Sequence, residues 1–264
     1  MVSLEDMVKT KKPEKNLVIS DIHFPYQDDD SLDIMFRYAQ DYKPHNIYVN
    51  GDLVDFYTLS KFSQNPVRKA SIPEEVRMAQ DFMKRLRENF KKSDIYFLHG
   101  NHENRLQRYL WENPQLAELE CLEIGNLFDL KSQDIKEIKA NRDYWGKEDG
   151  AVTQGDAIIF HGDARLNGAS TSKYSGYSAK NTMLGGLQHS IVMGHIHRLA
   201  VVHHSTPDGT LVGVEGGCLC QIPKHANWQN GFVTFETSKG KNHNYKVHLI
   251  EDGKLYEEDK VYGK

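Results

Sequence analysis

Short apolar runs and helical stripes alternate along the first hundred residues. Residues 16–20 (Asn-Leu-Val-Ile-Ser) form a β-branched run that breaks into Asp21-Ile-His23-Phe-Pro25. This is the pattern of a buried strand entering a loop, with Pro25 blocking its continuation. Over 31–42 the apolar residues Leu32, Met35, Phe36 and Ala39 recur at helical spacing. Residues 46–50 predict a second strand that stops at Gly51-Asp52. Residues 71–90 predict a helix, with Ser71 as N-cap, Pro73 in the first turn and a stripe of Val76, Ala79, Met83, Leu86 and Phe90. A third strand over 94–98 stops at Gly100-Asn101-His102-Glu103. The order β-α-β-α-β implies a parallel sheet covered by helices.

The second half changes character. Residues 103–125 read as helix, and 126–150 as a polar, irregular insertion. Short strands follow at 157–160, 190–193, 199–203, 211–214, 231–235 and 245–250, with hairpin turns at Asp208-Gly209, Lys239-Gly240 and Asp252-Gly253. A Gly- and Ser-rich stretch over 168–186, with Tyr174 and Tyr177, reads as an active-site loop plus a short helix. With no internal repeat, the pattern describes a flexible leader over 1–15 and one domain over 16–264 with a mixed or two-layer β core.

Composition narrows the class. The chain has 264 residues, 39% of them apolar and 27% charged, enough to bury a large core without disulfides. Three cysteines, Cys121, Cys218 and Cys220, form no paired framework and point to a reducing, cytoplasmic setting. No apolar run is long enough to span a membrane, so no membrane partner is expected. Net charge is 33 − 37 = −4, which opposes broad coating of nucleic acid while leaving room for local contacts to phosphate. Thirteen histidines make their positions the main question.

Many of those histidines stand at strand ends. Asp21-x-His23, Gly51-Asp52, Gly100-Asn101-His102-Glu103, His161-Gly162 and Gly194-His195-Ile196-His197 each follow directly on a short apolar strand. In parallel α/β sheets the carboxyl ends of strands converge on one crevice. In extended chain, residues i and i+2 face the same way, so Asp21 with His23, and His195 with His197, can serve one site. Imidazole, carboxylate and amide oxygen together suit first-row divalent metals such as Mn, Fe, Zn, Co or Ni.

This ordered set resembles the calcineurin-like metallophosphoesterase superfamily, bacterial and phage-type members in particular, over residues 17–198. The resemblance implies an α/β fold: a two-layer mixed β-sheet sandwich flanked by α-helices, in the order αββα, around two divalent metal ions, with manganese the expected ion in vitro. Carried over by position, Asp21, His23, Asp52 and His197 would hold one metal. Asp52, Asn101, His161 and His195 would hold the other, with Asp52 bridging. His102 would be the catalytic, non-ligand histidine, oriented by Asp55. Arg105 and Arg198 are candidate substrate-binding residues, with Lys173 a lesser one.

The implied activity is hydrolysis of a phosphodiester or phosphomonoester by a metal-bridging hydroxide. The expected substrate is a phosphate ester, with nucleotides or nucleic acid ends favoured. The Ser/Thr protein phosphatases of the superfamily carry an arginine just after the second aspartate of the Gly-Asp segment. Here that segment runs Gly51-Asp-Leu-Val-Asp55-Phe56-Tyr57, which weighs against, without removing, the protein phosphatase alternative. An inactive metal-binding module is a further alternative. Tyr174, Tyr177 and Trp228 are candidates for stacking on nucleobases, and the Cys218-x-Cys220 pair for either packing or metal ligation.

Overall fold

Alternation along the first strands decides the layers. In the computed structural model, which describes residues 12–65, 67, 71–139, 150–163 and 172–263, strand β1 (Glu14–Ile19) turns Leu17 and Ile19 to one face and Val18 to the other. Strand β2 (Asn46–Asn50) does the same with Ile47 and Val49 against Tyr48. Both faces are therefore buried, as a sheet at the centre of a layered fold requires.

On one face pack helices α1 (Asp29–Tyr42) and α2 (Ile72–Asn89), through Leu32, Met35, Phe36, Ala79, Met83 and Leu86. Helix α1 is capped by Asp28, whose side chain accepts the Ser31 N–H at 2.8 Å. Helix α2 starts behind Ser71, with Pro73 in its first turn, as the sequence predicts. The other face meets a second sheet: Val18, Tyr48 and Leu98 pack on Ile159, Val192 and Val214.

The larger sheet has eight strands in the order β13 (Lys260–Gly263), β12 (Lys254–Glu257), β11 (Lys241–Glu251), β10 (Asn230–Ser238), β1, β2, β3 (Asp94–Leu98) and β4 (Ile135–Ile138). Strands β1, β2, β3 and β4 are parallel, and β10 joins β1 antiparallel. The smaller sheet runs β5-β6-β7-β9-β8. There β6 (Ala157–Phe160), β7 (Ser190–Met193) and β9 (Gly209–Gly216) are parallel, flanked by antiparallel β5 (Ala151–Gln154) and β8 (Leu199–Thr206). A helical segment beginning at Tyr177–Thr182 covers its outer face through Ala179 and Met183. The result is the two-layer mixed sandwich flanked by helices that the strand pattern and the resemblance led us to expect.

Several expectations are corrected. Helix α3 (Glu103–Glu112) is the only long helix in the stretch read as continuous over 103–125. Asn113 leaves helical geometry at φ −130° and ψ 69° ahead of Pro114, because a proline ring disfavours helix in the residue before it. Only short helical turns follow, at Pro114–Ala117, Glu120–Leu122 and Ile124–Leu127. Within the stretch read as irregular, Ile135–Ile138 forms edge strand β4. Its Lys and Glu positions suit a sheet edge. Residues 140–149 lie outside the described residues. Strand β1 starts two residues inside the expected leader, at Glu14, and residues 1–11 are not described. The tail adds two short strands, β12 (Lys254–Glu257) and β13 (Lys260–Gly263), after β11 (Lys241–Glu251). All three expected hairpin turns lie between paired strands. None of the described helices is long and apolar enough to cross a membrane.

One buried group in this frame carries a pH signature. Glu75 of α2 is fully buried and accepts the backbone N–H of Phe56. Burial, opposed by that hydrogen bond and reinforced by nearby Asp55, pushes its carboxyl up to about 7. A carboxyl raised in the folded state stabilises the fold below its unfolded value and loses that contribution as pH rises toward 7. The shift corresponds to about 3 kcal/mol. Glu75→Gln, which mimics the protonated form, should gain stability relative to wild type between pH 5 and 8. Denaturant melts at both pH values check this, and a pH-independent difference would contradict it.

Candidate metal centre

Five loops, each leaving the carboxyl end of a parallel strand, meet at one edge of the sandwich. Asp21 and His23 follow β1, and Asp52 and Asp55 follow β2. Asn101 and His102 link β3 to α3, His161 follows β6, and His195 and His197 follow β7. The loops continue to pair beyond the strands: the Asp21 N–H donates to the Gly51 carbonyl at 3.1 Å, and the His23 N–H to the Asp52 carbonyl at 3.0 Å. The Gly194 N–H donates to the His161 carbonyl at 2.8 Å, tying the second pair of loops together. Asp21, His23, Asp52, His195 and His197 all have left-handed backbone, with φ between 51° and 68°. Such conformations cost energy for non-glycine residues and gather at sites the surrounding fold enforces.

The side chains form two adjoining donor sets. In the first, His197 Nε2 lies 3.1 Å from Asp21 Oδ1 and 3.2 Å from His23 Nε2. His23 Nε2 stands 3.7 Å from Asp52 Oδ2. In the second, His161 Nε2 lies 3.2 Å from that same Asp52 Oδ2 and 3.2 Å from Asn101 Oδ1. His195 belongs to this set, with a donor atom within 4.8 Å of those of Asp52 and His161. Asp52 Oδ2 is therefore common to both.

These residues fit divalent ions. His161 Nδ1 donates to the Asn50 carbonyl at 2.8 Å, which leaves Nε2 with the lone pair a metal needs. Asp21 Oδ1 is buried and makes no hydrogen bond although His197 Nε2 is 3.1 Å away, and two imidazole nitrogens face each other 3.2 Å apart. Both are costly arrangements that a cation would relieve.

Each carboxylate is fixed through its other oxygen. The His195 N–H donates to Asp21 Oδ2 at 2.9 Å, and the His102 N–H to Asp52 Oδ1 at 2.9 Å. Glycine makes the approach possible: a Cβ on Gly100 would stand 2.2 Å from Asp52 Oδ1, and one on Gly194 2.7 Å from Asp21 Oδ2. Beneath them, the buried Glu103 carboxylate accepts the N–H groups of Gly100 at 2.8 Å, Asp52 at 3.0 Å and Leu53 at 2.9 Å. Sequence reasoning quoted Glu103 within its motif and gave it no role. Its role is to lock the loop after β2 onto the loop after β3.

The electrostatics follow from burial opposed by close charge pairs. Burial disfavours the charged form of His161 and His197, yet Asp52 and Asp21 beside them raise both to about 9. Burial also opposes ionisation of Asp21 and Asp52, and the same histidines nevertheless hold both carboxyls below the usual range. His195, half-buried and next to His161, falls to about 4. The set is thus held together by its own charge pairs, cationic His161 and His197 against Asp52 and Asp21.

The profile of the calcineurin-like phosphoesterase family matches residues 15–199. The chain belongs to that family. Gene 54 protein of Mycobacterium phage L5 is 24% identical over 233 residues, which cover 82% of this chain and 86% of that protein. Among solved structures, Zn2+-complexed wild-type Vps29 from Entamoeba histolytica aligns with a TM-score of 0.47 at 11% identity, over 92% of this chain and 96% of its own. YfcE, a phosphoesterase from E. coli, aligns with a TM-score of 0.41 at 13% identity, over 88% and 98%.

In this member of the calcineurin-like phosphoesterases, a cleft of about 430 Å³ opens over the donor sets. His102 Nδ1 donates to the Asp55 carbonyl at 2.8 Å and lies 3.1 Å from Asp55 Oδ1. Arg105 lines the cleft beside it, donating from Nη1 to the Asp55 carbonyl at 2.7 Å and from Nη2 to His102 Nε2 at 2.9 Å. His102 is thus the tautomer with its proton on Nδ1. Arg198 is not brought to the cleft: it is buried and its guanidinium donates to the Ser172 carbonyl. Its place directly after His197 suggested substrate contact, but with His197 in left-handed backbone at φ 56° the next side chain turns to the Ser172 carbonyl instead. Lys173 lies over the Tyr174 ring at 5.4 Å and is likewise absent from the cleft lining. Trp228 does line it, with its ring 4.1 Å from that of His197, whereas Tyr174 and Tyr177 pack on each other at 5.8 Å outside it.

Glu103→Gln tests the loop lock. An amide NH2 turned toward backbone N–H groups leaves buried donors without an acceptor, each costing about 1–3 kcal/mol. We expect a stability loss of at least about 2 kcal/mol in urea unfolding, together with weaker divalent-metal binding. A variant as stable as wild type would show that Glu103 holds nothing.

Proposed function

We propose that this protein is a two-ion phosphoesterase that acts on phosphodiesters, with nucleotides or short nucleic acid ends as the substrate class. The observation that carries the two-ion reading is Asp52 Oδ2, which faces His23 Nε2 at 3.7 Å and His161 Nε2 at 3.2 Å. One carboxylate oxygen serving two donor sets is what a bridging ligand requires. Asp21, His23, Asp52 and His197 would hold one ion, and Asp52, Asn101, His161 and His195 the other. Divalent ions held there would supply an activated water and neutralise charge on the phosphate oxygens.

The chain's own residues divide the remaining work. Arg105 offers the guanidinium for a non-bridging phosphate oxygen. When it turns to substrate it releases His102 Nε2, which can then carry the proton given to the leaving oxygen. Asp55 beside Nδ1 holds that ring in place.

The lean toward diesters comes from charge and shape. Among the described residues lining the cleft, Arg105 is the only Lys or Arg side chain, which matches the single charge of a diester better than the double charge of a monoester. Tyr26, Tyr57, Phe62 and Trp228 supply aromatic walls for organic groups on both sides of the phosphorus. Two buried free thiols, Cys218 and Cys220, support a cytoplasmic setting.

The deciding measurement is hydrolysis of bis-p-nitrophenyl phosphate against p-nitrophenyl phosphate by metal-stripped protein refilled with Mn2+. The diester should be cleaved faster; faster monoester cleavage would overturn the substrate assignment. Asp52→Asn should lose at least about 1000-fold in kcat, since it weakens both ions at once. His102→Ala should keep both ions and lose about 100-fold or more, most for poor leaving groups. Loss of metal in His102→Ala would instead make His102 a ligand.

A further inference from the structure

Among the described residues, two groups of metal-binding side chains lie beyond the two donor sets: His23 with Asp55 and His102, which carry the roles given above, and His197 with Cys218 and Cys220. Cys218 and Cys220, just beyond β9, have Sγ atoms within 4.8 Å of each other and of a ring nitrogen of His197, and all three residues are buried. His197 Nε2 is directed at Asp21 Oδ1 and His23 Nε2, at 3.1 and 3.2 Å. His197 Nδ1 is buried and has no hydrogen-bond partner.

A metal-ligating histidine needs its second nitrogen held, because that bond fixes both the ring and the tautomer. At His161 the holder is the Asn50 carbonyl at 2.8 Å. At His197 the nearby candidates are sulfurs. Cys218 Sγ already donates to the Gln229 carbonyl at 3.5 Å and lies 3.9 Å from Asn230 Nδ2. Cys220 lines the cleft together with His197, and sulfur can accept as well as donate.

We propose that Cys220 is the positioning residue for His197, its sulfur accepting Nδ1–H so that Nε2 keeps its lone pair for an ion. The assignment rests on the two-ion reading and adds to it a thiol where an oxygen is the usual partner. A sulfur acceptor is weaker than a carbonyl, so the ion held by Asp21, His23, Asp52 and His197 is the one whose affinity depends on it.

The test is stepwise calorimetric titration of Mn2+ into the metal-stripped full chain, as wild type, Cys220→Ala and Cys220→Ser. Wild type should bind two ions. Cys220→Ala should weaken one of them about 10- to 100-fold and leave the other unchanged, while Cys220→Ser, whose hydroxyl can accept the same bond, should recover most of the loss. Melts of the metal-free forms separate this from a packing defect, which would lower stability without singling out one ion. If Cys220→Ala binds both ions as wild type does, if both sites weaken together, or if serine gives no rescue, the Cys220 assignment is overturned and the two-ion centre stands. If wild type binds no ion, both fall.

Discussion

Two carboxylates, Asp21 and Asp52, are buried at the ends of neighbouring parallel strands, fully in one case and almost so in the other. A buried charge without compensation would cost far more than a fold of this size can spare, so the structure around them is arranged as compensation. Each uses one oxygen to accept a backbone N–H from another loop: Asp21 from His195 and Asp52 from His102. The other oxygen of each turns to histidine nitrogens, His197 for Asp21 and His161 for Asp52. The same side chains that present donors to an ion therefore also fasten the loops that carry those donors. Removing either carboxylate would loosen the geometry as well as subtract a donor.

Carboxylates that accept backbone N–H groups recur as fasteners away from the donors. Glu103 locks the loop after β2 to the loop after β3. Glu75 holds the N–H of Phe56, next to Asp55 and itself in left-handed backbone at φ 43°. Glu215 of β9 accepts from Gly176 at 2.7 Å and Ala179 at 3.1 Å, which pins the start of the helix beginning at Tyr177. Irregular loop backbone has few partners of its own, and a buried carboxylate with several lone pairs satisfies more of it than any neutral side chain can.

What was legible in the sequence follows from this division. Strands 46–50, 94–98, 157–160 and 190–193 were readable because buried strands concentrate β-branched and aromatic residues between turn signals. Asp21, His23, Asp52, Asn101, His102, His161, His195 and His197 stood out because each follows such a strand. Strand β4 was not legible, since Lys136 and Glu137 at a sheet edge look like loop. The break at Asn113 was signalled by Pro114 and missed under the apolar stripe around it. Glu103, Glu75 and Cys220 escaped because their proposed or observed work is to hold backbone amides or another side chain. Residue type and spacing carry no trace of that work until the partner is placed. Arg198 failed for a related reason: adjacency to His197 in sequence says nothing of which way its side chain leaves the backbone.

The centre also depends on something no loop supplies. Asp21, His23, Asp52 and Asn101 come from the larger sheet, and His161, His195 and His197 from the smaller one. Distances such as the 3.2 Å between His161 Nε2 and Asp52 Oδ2 are therefore distances between sheets. They are set by how closely Val18, Tyr48 and Leu98 pack against Ile159, Val192 and Val214, with Tyr48 also donating its hydroxyl to Gln154 Oε1 at 2.9 Å. Interiors packed at crystal-like density transmit small changes in volume rather than absorbing them. Metal coordination tolerates errors of only a few tenths of an ångström. The apolar layer between the sheets is thus as much a determinant of the site as the donors, although none of its residues is a donor or lines the cleft.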